Sequence, residues 1–574
     1  MIHALRRVVE ELRRRHVFRV GFAYIVVAFA LLQGADLVLP ALLMPAWTFR
    51  LLVLLVLFLF PIVLVLSWVY DLTPAGVTRT KPADRPEDPS SPSGGTTTAV
   101  SSASGGSDVI ESLAILPFVN AGNNPDGDYL SEGITESIIN KMSTIRDVRV
   151  VPRASAFRFK DPDMDLVAVG RELGVRAVVT GRVHQRGEVL VAQAELIDLQ
   201  TESQLWGEQY NRPMADIFQV QEQMAEDIAR SLRLRLTSAQ RDRLLHRETH
   251  DTEAYREYLR GRHYWNKRTA EGFRLAIQHF QNAVDLDPDY AVGHSGLADT
   301  YNVLGYYNIQ PPKDAYPRAK AAALRALKLD PELAEAHASL GYALLFFDRA
   351  YEEAAAALRR AIDLKPGYAT AHQWYGWYLL VHGRFAETLE SLRTAVQLDP
   401  LSLVINDHYA YALILAGRYA DGRKQIQRTL ELDPRYPLAY WRLGNLEVIE
   451  GRLGEAIVVL EKAAELSGGL LARGYLGHAL AQAGRTGEAR GLLAELANEA
   501  RVGYASPLDR ALIHAGLGEL DETMSALDEA FEERSSDLVR LALLPWPAEV
   551  QRDPRFERFL AEVAPSGTPP PEPR

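Results

Sequence analysis

Four carboxylates, Asp126, Asp128, Glu132 and Glu136, lie close enough in sequence to suggest a divalent-cation site. The spacing lacks the glycine and the closing bidentate glutamate of a calcium loop. Carboxylates are also expected at a helix start, where they complement free amides and the positive end of the dipole. Asp161, Asp163 and Asp165 read the same way, as a turn before a helix. Fourteen histidines are scattered, and His294, His337 and His372 recur at equivalent places, which suits packing or surface roles better than a metal cage. With no cysteine, thiol chemistry, disulfides and cysteine-ligated zinc are excluded. There is no G-x-x-x-x-G-K loop, no H-E-x-x-H, no dinucleotide glycine fingerprint and no G-x-S-x-G. The reading is a binding protein, not an enzyme, with no catalytic residue, metal or cofactor.

Charge narrows the partners. The 63 Lys and Arg against 74 Asp and Glu give a net charge of −11, which argues against nucleic acid as the main partner. The most basic soluble stretch, Arg230, Arg233, Arg235, Arg241, Arg243 and Arg247, is offset by Asp242, Glu248 and Asp251 and reads as a solvated helix face and linker.

At 574 residues the chain must hold several folded parts. Residues 1–72 are expected to form a transmembrane hairpin with spans at about 20–39 and 51–70, each long enough to cross a bilayer of about 30 Å at about 1.5 Å per helical residue. Asp36 falls near the end of its span, where the cost of a charge is lower. Arg6, Arg7, Arg13, Arg14, Arg15 and Arg19 crowd the N-terminal flank and the connecting loop is uncharged, so both chain ends are expected in the cytoplasm. Residues 73–108, rich in Pro, Ser, Gly and Thr, read as a disordered linker with a reach of about 30 Å.

Residues 109–236 alternate strand and helix patterns. Leu113–Phe118 is a short apolar strand, followed by a helix whose Ile134, Ile138, Ile139 and Met142 share a face. Strands are expected at 148–151, 177–184, 189–198 and 205–210, the third with Leu190, Ala192, Ala194 and Leu196 facing a core. An amphipathic helix follows through Ile217, Val220, Met224, Ile228 and Leu232. Five blocks in order, Ser112-Leu-Ala-Ile-Leu-Pro-Phe118, Asp128-Tyr-Leu-Ser-Glu-Gly-Ile-Thr-Glu136, Arg153-Ala-Ser-Ala-Phe157, Gly170-Arg-Glu-Leu-Gly-Val175 and Leu205-Trp-Gly-Glu-Gln-Tyr210, resemble the TolB amino-terminal-like (FlgO-like) domain. The resemblance implies a small α/β interaction module of bacterial envelope and regulatory proteins. Such modules often sit beside tetratricopeptide repeats and sometimes follow a cyclase or DNA-binding domain. Many of these relatives are periplasmic, so a periplasmic soluble part is the alternative to the location that the arginines indicate.

After a linker at 237–250, residues 251–563 repeat. Leu286-Asp287-Pro288 recurs as Leu329-Asp330-Pro331, Leu364-Lys365-Pro366, Leu398-Asp399-Pro400 and Leu432-Asp433-Pro434, at steps of 43, 35, 34 and 34. Thirty-four is the tetratricopeptide period of two antiparallel helices, and the step of 43 implies an insert around 306–313. Gly341, Gly376 and Gly444, and Ala361, Ala395 and Ala463, keep the register. About seven units are expected, closed by a cap through Phe531–Ser535 and Asp553–Phe556, with a disordered tail at 564–574.

The fold expected is therefore mostly α and multidomain: transmembrane hairpin, small α/β domain, and α-solenoid. In the repeat family the first helices line a concave groove for a peptide. Carried onto this chain, the groove positions are Tyr342, Gln373, Trp377, Asp407, Tyr411, Trp441 and Asn445, aromatic anchors beside hydrogen-bonding groups. The function expected is a scaffold or regulatory adaptor in the bacterial inner membrane, with a protein or peptide in its groove and the lipid bilayer around residues 20–70. The alternative is a sensory or regulatory subunit of a cyclase-type signalling system.

Overall fold

The structure, a computed structural model, describes residues 70–73, 76–79 and 110–563, apart from 123–126, 146, 235, 470 and 503. The chain divides into two compact units, Met1–Ser104 and Gly105–Arg574. In the first, β1 (Tyr70–Thr73) pairs antiparallel with β2 (Gly76–Arg79), Tyr70 opposite Arg79 and Leu72 opposite Val77. These residues were expected to end the second span and open the linker. Instead, extended backbone suits the β-branched Thr73, Val77 and Thr78. The rest of both spans, of the linker at 80–108 and of the tail lies outside the described residues, as does Asp126. Among the described residues no helix is long and apolar enough to cross a membrane.

The second unit begins with a mixed sheet in the order β5-β3-β6-β7-β8, built from β3 (Ser112–Ile115), β5 (Arg149–Val150), β6 (Ala177–Arg186), β7 (Val189–Asp198) and β8 (Ser203–Pro213), with β4 (Val119–Asn120) also on β6. β3 lies parallel to both its neighbours, and its Leu113, Ala114 and Ile115 are fully buried, as a central parallel strand requires. The long β6-β7-β8 meander is antiparallel and turns at Gly187, whose φ of +57° a side chain would resist. Along β7 the residues Leu190, Ala192, Ala194 and Leu196 are buried, and helices Asp128–Met142 and Ile217–Ser231 add their apolar faces to the same core.

That core does not stop at the domain edge. Tyr255 and Leu259 of helix Thr252–Trp265, together with Tyr290 and Leu401, belong to it, and Gly133 lets Leu259 approach so closely that a Cβ would stand 2.6 Å from it. The segment 237–250, expected as a linker, contains helix Ser238–Leu245. Its Leu244 is fully buried, and Lys141 Nζ donates to the carbonyls of Leu244 and His246 at 3.0 Å each. Of the carboxylates singled out in the sequence, Glu132 and Glu136 bind cations of the chain itself, and Asp128 accepts from the Asn120 side-chain amide at 2.8 Å. Glu136 lies 2.8 Å from Arg153 and 2.6 Å from Arg262, and Glu132 bonds Lys160 at 2.7 Å and His263 at 3.1 Å. Burial opposes the charge of Glu132, yet the His263 and Lys160 hydrogen bonds hold it at about 2.

Eight antiparallel helix pairs follow among the described residues, from Thr252–Trp265 with Ala270–Leu286 to Pro507–Leu517 with Leu520–Glu532. The long step is taken up by helices Ala291–Tyr306 and Pro312–Leu329, of 16 and 18 residues, so the insert lengthens the pair instead of forming a loop. The glycines serve contact: a Cβ on Gly341, Gly376 or Gly444 would stand 2.7, 2.9 or 2.4 Å from Leu358, Leu392 or Leu460 of the paired helix. The aspartates of the Leu-Asp-Pro motif turn the chain, since Asp287, Asp330 and Asp433 each accept the amide two residues on. Asp399 departs from this. Its carboxylate accepts the Ser155 hydroxyl of the α/β domain, and Ser155 Oγ accepts the Leu401 amide at 2.9 Å.

Burial raises Asp399 to about 6, with the Ser155 bond only partly offsetting it. A carboxyl whose folded pKa lies above its unfolded value favours the folded state when protonated, and that contribution is lost as pH rises through about 6. The urea midpoint of the full chain is therefore expected to fall between pH 5 and pH 7. Asp399→Asn, which keeps an acceptor for Ser155, is expected to flatten that fall; an unchanged slope would remove Asp399 as its source.

Candidate peptide-binding groove

The groove positions fall on four consecutive first helices: Tyr342 on Ala334–Ala343, Gln373 and Trp377 on Ala369–Val381, Asp407 and Tyr411 on Leu403–Leu415, and Trp441 and Asn445 on Pro437–Ile449. A period near 34 returns the same helical face to the same side of the stack, so they form one connected row. Tyr342 packs on Phe346 and Trp374 with ring centroids at 4.4 and 4.7 Å. Phe346 meets Trp377 edge-on at 6.0 Å, and Trp377 meets Tyr411 at 6.0 Å. The Arg442 guanidinium then covers Tyr411 at 4.2 Å and Trp441 at 4.6 Å, and Trp441 reaches Tyr475 at 5.9 Å.

The polar members are fixed as firmly. Trp377 Nε1 donates to His408 Nδ1 at 2.9 Å, and Gln373 Nε2 stands 2.6 Å from the same nitrogen. Burial, then the charges of Arg442 and Arg540, push His408 well below its ordinary value, so the imidazole is neutral and Nδ1 accepts. Arg442 and Asp407 pair at 3.1 Å with both side chains fully buried. Burial opposes the charge of Arg442, but the Asp407 carboxylate outweighs it and holds the guanidinium above its usual range.

The row is not open to solvent. Of the seven residues only Trp441 is half-buried, and the other six are buried. The cover is the chain itself: a 3-10 segment, Ser536–Leu543, more than a hundred residues downstream of most of the row, lies against it. Ser536 Oγ donates to the Gly305 carbonyl at 3.1 Å and meets the Tyr316 hydroxyl at 3.0 Å. Val539 enters the aromatic cluster of Tyr306, Tyr342, Phe346, Trp377 and Tyr411. Arg540 stands 5.4 Å from the Tyr411 ring and 5.8 Å from Trp377, its Nε bonded to Asp537 at 2.9 Å. The following cap continues the closure, since Tyr351 OH donates to the Val563 carbonyl and Arg349 lies over Phe531.

Sequence reasoning missed Arg442, His408, Tyr306 and the covering segment. Arg442 and His408 sit one position beyond Trp441 and Asp407 in the same helices, so a charged or polar residue inside an otherwise apolar helix face was a usable signal. Nothing local marks Ser536–Leu543 as a groove occupant, because its contacts lie about 230 residues away in sequence.

Residues 314–368, 345–402 and 410–470 match a tetratricopeptide repeat family model, and residues 109–227 match one described as the second domain of HilA/YgeH-like transcriptional regulators. The chain thus carries tetratricopeptide repeats behind a small mixed-sheet domain. A protein of Rhizobium meliloti (strain 1021), provisionally named adenylate cyclase 3, is 32% identical over 240 residues, 42% of this chain and 41% of that one, so the chain spans about two fifths of its length. Among solved structures, YrrB, described as a TPR protein with an unusual peptide-binding site, overlaps at a TM-score of 0.23 with 21% identity, covering 33% of this chain and 91% of that one. PilF of Pseudomonas aeruginosa gives 0.26 with 17% identity over 47% and 99%. Human IFIT1 bound to m7Gppp-AAAA gives 0.39 with 14% identity over 60% and 78%.

The buried pair sets a measurable expectation. Asp407→Leu strands a buried guanidinium and is expected to cost about 3–5 kcal/mol in urea unfolding of the full chain, whereas adding Arg442→Met is expected to recover most of the loss. A double variant as unstable as the single would show that Arg442 is not stranded by losing Asp407.

Proposed function

We propose that this protein is a protein-interaction scaffold or regulatory adaptor that recruits an extended segment of a partner through its repeat groove. The observation that carries the reading is that the inner face, lined by aromatic rings and guanidinium groups, accommodates a short non-repeat stretch of polypeptide, Ser536–Leu543. Aromatic and arginine anchors in a desolvated setting are the usual carriers of peptide affinity. We read the α/β domain, through its TolB-like blocks, as an interaction module. Residues 20–39 and 51–70 tether it to a bacterial inner membrane, with the soluble part on the side from which the N-terminal arginines do not cross.

The similarity to the Rhizobium meliloti protein favours a second reading, a regulatory subunit of a cyclase-type system acting on a catalytic chain supplied separately. Purified full-length protein incubated with ATP and magnesium is expected to form no cyclic AMP; turnover would replace the scaffold reading with a catalytic one. For the tether, a fluorescent protein fused after Val563 is expected to light up in cells while a phosphatase active only outside the cytoplasm stays silent. The reverse pattern would place the soluble part in the periplasm. For the groove, a photo-crosslinking residue in place of half-buried Trp441 is expected to give one defined adduct, and the same residue in place of exposed Val458 none. Equal labelling from both would remove the groove as the binding face.

A further inference from the structure

The groove is filled in this structure, and the filling is chemically informative. The segment offers Val539 and Arg540 to the repeats, and each has a distinct receptor. Val539 enters the ring cluster, Arg540 takes the faces of Tyr411 and Trp377, and Asp537 neutralises Arg540 within the same turn. Ser536 fixes the entry by bonding the Gly305 carbonyl and meeting the Tyr316 hydroxyl. This is how a recognition peptide is read: one apolar anchor, one cation on aromatic faces, one main-chain contact.

Several polar groups at this contact have no protein partner. Arg540 Nη1, both Nη atoms of Arg442, the hydroxyls of Tyr306 and Tyr411, and the Asn445 amide are buried and make no hydrogen bond within the described residues. Of these residues, Tyr306 and Arg540 line a small cavity of about 30 Å³, together with Trp441, Tyr475 and Asp537, room for about one water molecule. A buried donor left without a partner is unfavourable, so this contact is weaker than a fully hydrogen-bonded one. The segment holds its place through its covalent link to the array, which gives it a high effective concentration.

We propose that Ser536–Leu541 is an intramolecular stand-in for the groove's true ligand, and that this ligand is a segment of another protein carrying Asp-x-Val-Arg or its close equivalent. Binding then requires the chain's own segment to leave, so the groove is open to a partner only when it outcompetes residues 536–541. The proposal rests on the groove reading above and gives it a sequence and a gate.

The absence of cysteine supplies a clean probe. Full-length Val539→Cys and, as a core control, Leu413→Cys carry one thiol each. Under native conditions the thiol at 539 is expected to react with a maleimide at least tenfold faster than the one at 413. A synthetic peptide of residues 533–546 is expected to accelerate it further, by capturing the vacated groove. The same peptide labelled with fluorescein is expected to bind full-length Val539→Asp at least tenfold tighter than the unaltered chain, and to lose that binding when its own arginine is replaced by glutamate. Equal thiol rates with no peptide effect would show that the segment is permanent core. Because that measurement is made on conservative cysteine variants, it stands even where Val539→Asp fails to fold. A doubling of mass on opening would assign the groove to a second copy of the chain and overturn the external partner. Crosslinking at Trp441 that persists while these tests fail would leave the groove reading intact and remove the stand-in.

Discussion

A hairpin of two helices about fourteen residues long cannot bury its own apolar face, and everything in the second unit follows from the need to cover that face. Each repeat is covered by the next, so the cost of exposure falls on the two ends and on the inner surface of the curve. At the N-terminal end the chain does not use a polar capping helix. It extends the core of the mixed sheet into the first pair through Tyr255 and Leu259, and to Tyr290 at the start of the second. At the other end Trp546, Phe556 and Phe559 close the last pair and the chain turns back across the curve. The inner surface, with its rings at Tyr342, Trp377 and Tyr411, is covered by that returning chain.

Covering an inner face with a polar segment has an electrostatic consequence. Arg442 and Arg540 are both brought out of water, and two like charges near one another are tolerated only because each has its own carboxylate, Asp407 and Asp537. A pair of apolar residues of similar volume would be at least as stable in such a place, so stability alone does not explain the pairs. Their effect is selective. A buried guanidinium on Tyr411 and Trp441 discriminates against any groove occupant that brings a second uncompensated cation, and the Asp537 partner of Arg540 meets that demand within one turn of the covering segment.

The repeat register was legible because Leu-Asp-Pro has a local cause, a helix end and a side-chain turn, which a single sequence displays. The strand alternation of Leu190 to Leu196 was legible for the same reason. The role of Asp399 was not: its sequence context matches that of Asp330 and Asp433, and only the docked Ser155 makes it different. The groove positions, carried over from the repeat family, fall on four consecutive first helices, yet their burial was not legible, since it depends on a covering segment whose partner Tyr316 is 220 residues away. The segment at 237–250 looked like a linker because its composition is charged. Leu244, one of two adjacent leucines, docks it, and so short an apolar patch in a charged stretch is a weak signal.

The two closures meet on one element. The α/β domain grips the turn at Asp399 and Leu401 through Ser155, and Arg158 donates to the carbonyl of Leu432 at the end of the next second helix. Between these two grips lies helix Leu403–Leu415, which carries Asp407, His408 and Tyr411. The domain thus holds the turn before this helix and the end of its paired helix Tyr419–Leu432, while Arg540 rests on the Tyr411 face of Leu403–Leu415. The sheet domain and the covering segment thus both bear on one helix pair, and the junction at 237–250 is itself packed, through Leu244 and the Lys141 hydrogen bonds, onto the domain.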